Sequence, residues 1–471
     1  MNFRFYVRLA SAALGLLQSS CLLGPKGELP AAAEPSAFKG AAESGSVERP
    51  MRPEWWTVFH DARLDALAER IEGENLQLRA ALARVDQAYA ALGVDAALRV
   101  PRLDGAAGAT RNRASKGGLG GGFFGVDTTQ YRAGLLLDWE VDLWGRVRRL
   151  VEARQAEATE AEALAEDVKL ALQAELVRNY FALRFTDAEA EVLEGAVQTR
   201  LDNLELAQRR FQGGVAAELD VARAETELAA TRAEAARLAG TRTRLENAIA
   251  VLVGQAPSEF HLPVRPLSGA PPQLRAGLPV EALSNRPDIA ASQQRLVAAN
   301  ARIGVATAEF FPKLSLIGNG GYSSLKPDTF LLWSSRTYSI GPSVSIPMFQ
   351  GGRLRMGLKR ARAEQAEAVA DYQQAVLVAL REVEDALGDL GALRREIGAQ
   401  EEAVRSAQRA VALSTKRYEE GLVSSIEVVD AVREQLTAER RAVQVRAQQH
   451  EATVRLIQAL GGGVRATDVS R

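Results

Sequence analysis

Residues 209–224, RRFQGGVAAELDVARA, recur in altered form as residues 416–431, KRYEEGLVSSIEVVDA. Both copies contain an aromatic residue followed three positions later by glycine, and the two aromatic residues, Phe211 and Tyr418, are 207 residues apart. Glycine is the residue that most often ends a helix, because it adopts a positive φ without steric cost. The sequence therefore predicts the same helix-ending turn twice in one chain.

The duplication extends beyond these turns. Gly145 in DLWGRVRRL corresponds to Gly352 in FQGGRLRMG, again 207 residues away, and RVPRLDG around Pro101 corresponds to FFPKLSL around Pro312. Units of this size are far longer than the repeats of a solenoid protein. The pattern indicates two copies of one architecture, side by side in the same chain.

The predicted organisation has six segments. They are a signal peptide at 1–20, an extended N-terminal segment at 21–63, a first repeat at 64–256, a proline-rich linker at 257–280, a second repeat at 281–463 and a C-terminal tail at 464–471. Each repeat is predicted to hold a helix, a strand pair and a long helical hairpin. The strand pairs are 103–143 and 314–347, and the hairpins are 146–253 and 351–461.

Composition excludes several classes of function. The 58 basic and 59 acidic side chains leave a net charge of −1, which gives no general electrostatic reason to bind nucleic acid. With three histidines and four methionines, the chain has few side chains that could bind a transition metal. We therefore expect neither a metal nor a cofactor. No zincin, nucleophile-elbow or phosphate-loop motif occurs, so we expect no enzymatic activity.

The single cysteine lies at the end of an export signal. Arg4 and Arg8 precede a short apolar run and small residues that lead to Cys21. The run is too short to span a bilayer, and the segment is typical of a secretory signal. It resembles a bacterial lipoprotein signal, which implies lipidation of Cys21, although Gln18 replaces the usual aliphatic residue. Ordinary cleavage near Ala31–Ala33 is the alternative.

Two long stretches are predicted to be helical. Proline is absent from residues 102–256 and 348–471, and alanine, glutamate, arginine and leucine are abundant there. Leu164, Val168 and Leu172 begin an i, i+4 apolar ladder. Helices of such length are typical of coiled coils and helical cylinders. Each helix is expected to turn back at the repeated glycine motif and form an antiparallel hairpin.

The opposite ends of the repeats predict β-structure. Residues 130–143 alternate between an apolar face and a polar face, and residues 337–347 repeat the pattern, with weaker partners at 103–111 and 314–322. Alternation over about ten residues is the pattern of a transmembrane β-barrel strand, and it also fits a soluble sheet with one wet face. The export signal and the two matched hairpins favour the membrane. Four strands cannot close a barrel, so a membrane location demands an oligomer.

Several motifs resemble those of TolC-like outer-membrane efflux channels. They are WEVDLWGRVRR (139–149), SNRPDIAASQQRL (284–296), AEFFPKLSL (308–316), PMFQGGRL (347–354) and the doubled aromatic-x-x-Gly turn. The nearest branch is the lipoproteins that serve resistance–nodulation–division (RND) pumps, the OprM/NodT-like outer membrane factors. The resemblance implies a homotrimer with a shared 12-stranded β-barrel, continued by a long α-helical periplasmic tunnel.

The resemblance also implies positions for the functional residues. The periplasmic gate falls on Ile426, Asp430 and Arg433, whose spacing places them on one helical face. The tips that dock a periplasmic adaptor correspond to Phe211, Gly213, Gly214, Tyr418 and Gly421. A ring of three Asp430 carboxylates would narrow the pore. Spacing alone fits equally well a solvated ion pair between Asp430 and Arg433.

The function implied is the exit duct of a tripartite efflux system in the bacterial outer membrane. Such a duct is a passive channel for small molecules such as drugs, and its partners are a periplasmic adaptor, an inner-membrane RND pump and outer-membrane lipid. Two rivals remain at the sequence level. A channel for type I protein secretion would share the fold, and a periplasmic coiled-coil tether or adaptor would share the long hairpins but lack duplicated strand pairs.

Overall fold

The computed structural model describes residues 23–25, 30, 35–39, 54–113, 127–267, 269–272 and 283–462. The predicted signal peptide, Cys21 and the predicted C-terminal tail lie outside the described residues. The chain divides into two compact units, which we name by their content. The strand unit comprises Met1–Ala31, Arg84–Ala161 and Ala291–Tyr372, and the helical unit comprises Ala32–Ala83, Glu162–Ala290 and Gln373–Arg471.

The principal elements alternate between helices and strand pairs. In chain order they are α1 (Ala62–Glu74), α2 (Leu76–Ala96), β1 (Arg102–Arg113), β2 (Asp127–Val141), α3 (Arg146–Gln212), α4 (Glu218–Leu252), α5 (Pro287–Ala308), β3 (Lys313–Ser324), β4 (Arg336–Ser345), α6 (Arg353–Glu419) and α7 (Ser425–Ala459). Short 3-10 helices occur at Trp55–Phe59, Ala97–Arg99, Pro257–Glu259 and Trp333–Ser335. The strands and long helices expected from the sequence are therefore present.

The long helices match in length. Helices α3 and α6 each have 67 residues, and α4 and α7 each have 35 residues. Both 67-residue helices are uninterrupted because they contain no proline. Their glycines are isolated from one another and are flanked by residues with high helix propensity. Among the described residues, no helix combines the length and apolarity needed to cross a bilayer.

The four strands form one antiparallel sheet in the order β1-β2-β3-β4. The register aligns Leu103, Leu137 and Ile340 in one row across the sheet, with Gly318 between the last two. Because side chains alternate between faces along a strand, this register collects most of the apolar residues on one face, with Leu136 and Ile317 on the other. The other face carries most of the polar side chains, including Arg132 and Asn319.

The core of the helical unit is aromatic and aliphatic. Trp55 and Trp56, from the first 3-10 helix, are buried in it together with Tyr180 and Leu176 of α3. His60 ends that 3-10 helix in the left-handed region with a φ of 53°, and its side chain is exposed. This placement gives His60 a backbone role at a helix end.

Candidate functional site

The first predicted turn is a Schellman motif at the end of α3. The N–H of Val215 donates to the carbonyl of Arg210 at 2.9 Å, and the N–H of Gly214 donates to the carbonyl of Phe211 at 3.0 Å. Gly214 has a φ of +78°, which is the left-handed conformation that this motif requires. The adjacent Gly213 is not in that conformation.

The second turn, at the end of α6, has the same hydrogen bonds. The N–H of Leu422 donates to the carbonyl of Arg417 at 2.8 Å, and the N–H of Gly421 donates to the carbonyl of Tyr418 at 3.0 Å. Gly421 has a φ of +76°. The aromatic-x-x-Gly spacing is therefore the spacing between the acceptor and the donor of the inner Schellman bond.

The two aromatic side chains have different surroundings. Phe211 is 45% exposed, whereas Tyr418 is 8% exposed and packs with Val428 and Val432 of α7. The guanidinium of Arg210 lies over the Tyr418 ring, 4.4 Å from its centroid. The two turns thus have the same backbone hydrogen bonds, but only the second turn buries its aromatic residue.

A second link joins the starts of α4 and α7. Ser425 donates its hydroxyl hydrogen to one carboxylate oxygen of Asp220 at 2.6 Å. The other oxygen of Asp220 accepts the backbone N–H of Ala217 at 3.3 Å. A carboxylate in the first turn also interacts favourably with the helix macrodipole. Asp220 therefore both caps α4 and holds the first residue of α7.

A cleft of about 410 Å³ lies between these two helix starts. Its walls contain apolar, polar and charged side chains. The lining residues are Leu219, Asp220, Ala222, Arg223, Thr226, Glu227, Ser425, Ile426, Val429 and Asp430. Ile426 and Asp430 are brought together here with Leu219 and Arg223 of α4.

Arg433 does not line the cleft but binds Asp430. Its guanidinium donates to the Asp430 carboxylate at 2.8 Å, and the two side chains are 55% and 53% exposed. An ion pair this exposed contributes about 0.2–1 kcal/mol at most. In the single chain, two of the three predicted gate residues therefore form a solvated ion pair at the mouth of the cleft.

Comparison with known proteins identifies the family. A sequence model described as "Outer membrane efflux protein" matches residues 67–255 and again residues 278–462. The chain belongs to the outer membrane efflux protein family. The family resemblance inferred from the sequence motifs is thus confirmed, and the protein is an efflux protein of the bacterial outer membrane.

Individual relatives agree over nearly the whole chain. The solvent efflux pump outer membrane protein SrpC of Pseudomonas putida is 31% identical over 95% of this chain and 96% of its own length. The outer membrane protein OprJ of Pseudomonas aeruginosa is 32% identical over 96% of this chain and 94% of its own. The solved structure of the outer-membrane channel OprN superposes with a TM-score of 0.89, with 33% identity over 94% of this chain and 99% of that one.

The RPDI stretch of this efflux protein, residues 286–289, positions the start of α5 through the contacts of its arginine. Arg286 donates to the carbonyl of Ala459 at 2.9 Å and forms 2.8 Å ion pairs with Asp288 and Glu382. Burial lowers the pKa of Arg286, but the two carboxylates outweigh it and the net shift is upward. Arg286 therefore ties the start of α5 to α6 and to the end of α7. The motif is recognisable in the sequence, but it does not predict these partners.

A buried histidine is a feature that the sequence does not indicate. His450 of α7 lies against the rings of Phe181 and Phe185, each 4.9 Å away between centroids. Its Nδ1–H donates to the carbonyl of Arg446 at 3.1 Å. Burial lowers the pKa of His450 and keeps the ring neutral. Its sequence context, QQHEAT, contains no signal that distinguishes it from a surface residue.

Proposed function

We propose that three copies of this chain form one outer-membrane channel with a shared 12-stranded barrel. The supporting observation is the sheet itself, which has one mostly apolar face and whose edge strands, among the described residues, are β1 and β4. A free sheet edge in lipid leaves backbone groups without hydrogen bonds, so β4 of one copy must pair with β1 of the next. Closure then supplies the lumen that an efflux protein needs.

The two halves of the chain form an internal repeat in this proposal. The repeats span 64–256 and 281–463, joined by the linker at 257–280, with 21–63 preceding them and the tail at 464–471 following them. The equal lengths of α3 and α6 and of α4 and α7 support this division, as do the two separate family matches. Twelve long helices from three copies would continue the barrel as a periplasmic tunnel.

The gate lies at the tunnel end formed by the starts of α4 and α7. Ile426 and Asp430 face Arg223 and Leu219 across the cleft, so small movements of α7 relative to α4 alter which charges are paired. Symmetry would bring three Asp430 side chains near the axis. A ring of carboxylates that coordinates cations would hold the pore narrow. Arg433, paired with Asp430, limits that negative charge.

The turns would dock a periplasmic adaptor of an inner-membrane RND pump. Phe211, Val215 and Leu422 expose apolar side chains around Gly213, Gly214, Tyr418 and Gly421, the turn residues assigned to docking. Exposed apolar groups on a rigid turn are suited to a protein interface. The solvent efflux relative favours small organic molecules as cargo and does not favour protein secretion. Lipidation of Cys21 would add an anchor in the outer membrane.

Planar-bilayer conductance of the purified oligomer tests the channel and the gate together. We expect a small conductance for the wild type and a several-fold increase for Asp430→Ala. Glu402→Ala, which removes an exposed carboxylate from α6, is the matched control and should leave conductance unchanged. Unchanged conductance in Asp430→Ala would retain the channel and refute this gate. Absence of conductance from inserted, folded oligomer would refute the channel.

A further inference from the structure

The apolar face of the sheet ends, on β4, in an arginine. Arg336, the first residue of β4, has the same side-chain direction as Tyr338, Ile340 and Val344, because residues two apart on a strand share a face. Its cross-strand neighbour on β3 is Tyr322. A cation is thus placed on the face that contacts lipid when the sheet spans the membrane.

The position of Arg336 along the strand corresponds to the edge of the hydrocarbon layer. Val344 lies eight positions after Arg336 on β4, or about 26 Å along the strand at about 3.3 Å per residue. With the usual tilt of roughly 40°, this length spans about 20 Å of membrane thickness, close to the apolar band of about 25 Å on outer-membrane barrels. The guanidinium therefore reaches the level of the lipid headgroups.

Aromatic side chains surround this end of the face. The loop between β3 and β4 places Phe330 against Tyr131 of β2, with ring centroids 6.3 Å apart. Trp333 of the same loop is 72% exposed, and the Arg336 guanidinium lies over its ring at 3.9 Å from the centroid. Tryptophan and tyrosine are enriched where barrels meet the headgroup region.

The charge of Arg336 is available to a ligand. Within the described residues, no carboxylate lies at ion-pair distance from Arg336, whose guanidinium contacts the Trp333 ring. By contrast, Arg111 near the end of β1 donates to Asp127 at 3.3 Å, and Arg113 lies 3.8 Å from the same carboxylate. Stacking on the indole orients the guanidinium and leaves its N–H groups free to donate.

We propose that Arg336, oriented by Trp333 and flanked by Tyr322, binds the phosphate of an anionic lipid in the outer leaflet. Arginine donates two parallel hydrogen bonds to phosphate, and the low dielectric at the membrane edge strengthens them. The adjacent apolar face would receive the acyl chains of the same lipid. The outer-leaflet assignment depends on the proposed orientation, in which the helices are periplasmic and the hairpin loops are external.

Native mass spectrometry of the purified full-length oligomer, titrated with bis-phosphorylated lipid A, tests this site. Arg336→Gln should weaken lipid A binding by roughly ten- to a hundredfold, the loss expected for one charge-assisted contact. Arg336→Lys should retain part of the affinity, and Trp333→Leu should weaken it by releasing the guanidinium. Diacylglycerol, which has no phosphate, should bind the wild type and Arg336→Gln equally.

Arg132→Gln is the matched control, since Arg132 lies at nearly the same level on the opposite face and binds Gln130 at 2.6 Å. Unchanged lipid A binding in Arg336→Gln, an equal loss in Arg132→Gln, or displacement by inorganic phosphate would overturn the lipid site. The same spectra report the number of chains. A count other than three would refute the trimer without affecting the lipid result, because all three site residues belong to one chain.

Discussion

Arg210 and Tyr418 join the two helical turns across 208 residues of sequence. The Arg210 guanidinium lies 4.4 Å from the centroid of the Tyr418 ring and donates to the Tyr418 carbonyl at 3.1 Å. The same carbonyl accepts the inner Schellman bond from Gly421. One arginine of the first hairpin therefore holds both the side chain and the backbone of the second turn.

We expect Arg210→Gln to loosen the second turn selectively. Loss of a partly buried cation–π contact and a charged hydrogen bond should cost about 1–2 kcal/mol locally. Amide hydrogen exchange at Gly421 and Leu422 should accelerate by about tenfold or more. Arg209→Gln, at a neighbouring exposed position, is the control and should not change exchange there. Equal protection in both variants would show that the turn does not depend on Arg210.

The two glycines of the first turn should respond differently to substitution. Gly214 has a φ of +78°, so Gly214→Ala should cost about 1–2 kcal/mol through backbone strain alone, since a Cβ at this position would face open space. A Cβ on Gly213 meets only ordinary contacts, the nearest at 3.5 Å, and Gly213→Ala should be tolerated. Exchange of the Val215 amide measures the difference. Comparable acceleration in both variants would contradict a Schellman turn centred on Gly214.

His450 should make stability depend on pH. Its pKa lies below the ordinary value of 6.5 because the ring is buried among aromatic side chains. Well above pH 6.5 the ring is neutral in both states. As the pH falls through 6.5, the unfolded chain binds a proton that the folded chain does not, so the free energy of unfolding decreases until the folded pKa is reached.

Thermal unfolding at several pH values tests this dependence. His450→Phe should reduce the loss of melting temperature between neutral and acidic pH, because phenylalanine fits the aromatic cluster and does not titrate. His60→Asn is the control, since His60 is exposed and asparagine tolerates its positive φ. An identical pH profile for the wild type and His450→Phe would show that the buried ring does not govern acid stability.

The periodic features of this fold can be predicted from sequence, and the links between the hairpins cannot. Alternation over residues 130–143 predicts β2, and the glycine of each turn predicts where α3 and α6 end, because both signals are local. The bond from Ser425 to Asp220 joins residues 205 positions apart. Serine and aspartate occur at many helix starts for capping alone, so nothing local reveals that these two side chains meet.

The gate, too, can be predicted from the sequence only in part. Motif similarity assigns the gate to Ile426, Asp430 and Arg433, and their spacing places them on one helical face. The structure adds that Asp430 and Arg433 form an ion pair within one chain. The cleft that separates Asp430 from Arg223 depends on how α4 and α7 approach each other. That approach is set by side-chain packing between distant segments, which a hydrophobic period does not encode.

Asp187 of α3 should be highly sensitive to substitution. Its buried carboxylate accepts from Arg242 at 2.7 Å, from Arg184 at 3.4 Å and from the backbone N–H of Arg265 at 3.0 Å. Asp187→Ala would leave two guanidinium groups without their shared anion, at a cost of about 3–5 kcal/mol.

Thermal unfolding followed by circular dichroism should therefore show a large decrease in melting temperature for Asp187→Ala. Asp187→Asn keeps the shape and one acceptor, so its decrease should be smaller. Asp202→Ala removes an exposed carboxylate of the same helix and should have little effect, because surface carboxylates contribute about 0–1 kcal/mol. Equal melting temperatures for Asp187→Ala and Asp202→Ala would contradict this prediction. They would show that the carbonyl acceptors, Pro263 for Arg184 and Leu262 for Arg242, are sufficient to stabilise the two arginines without the carboxylate.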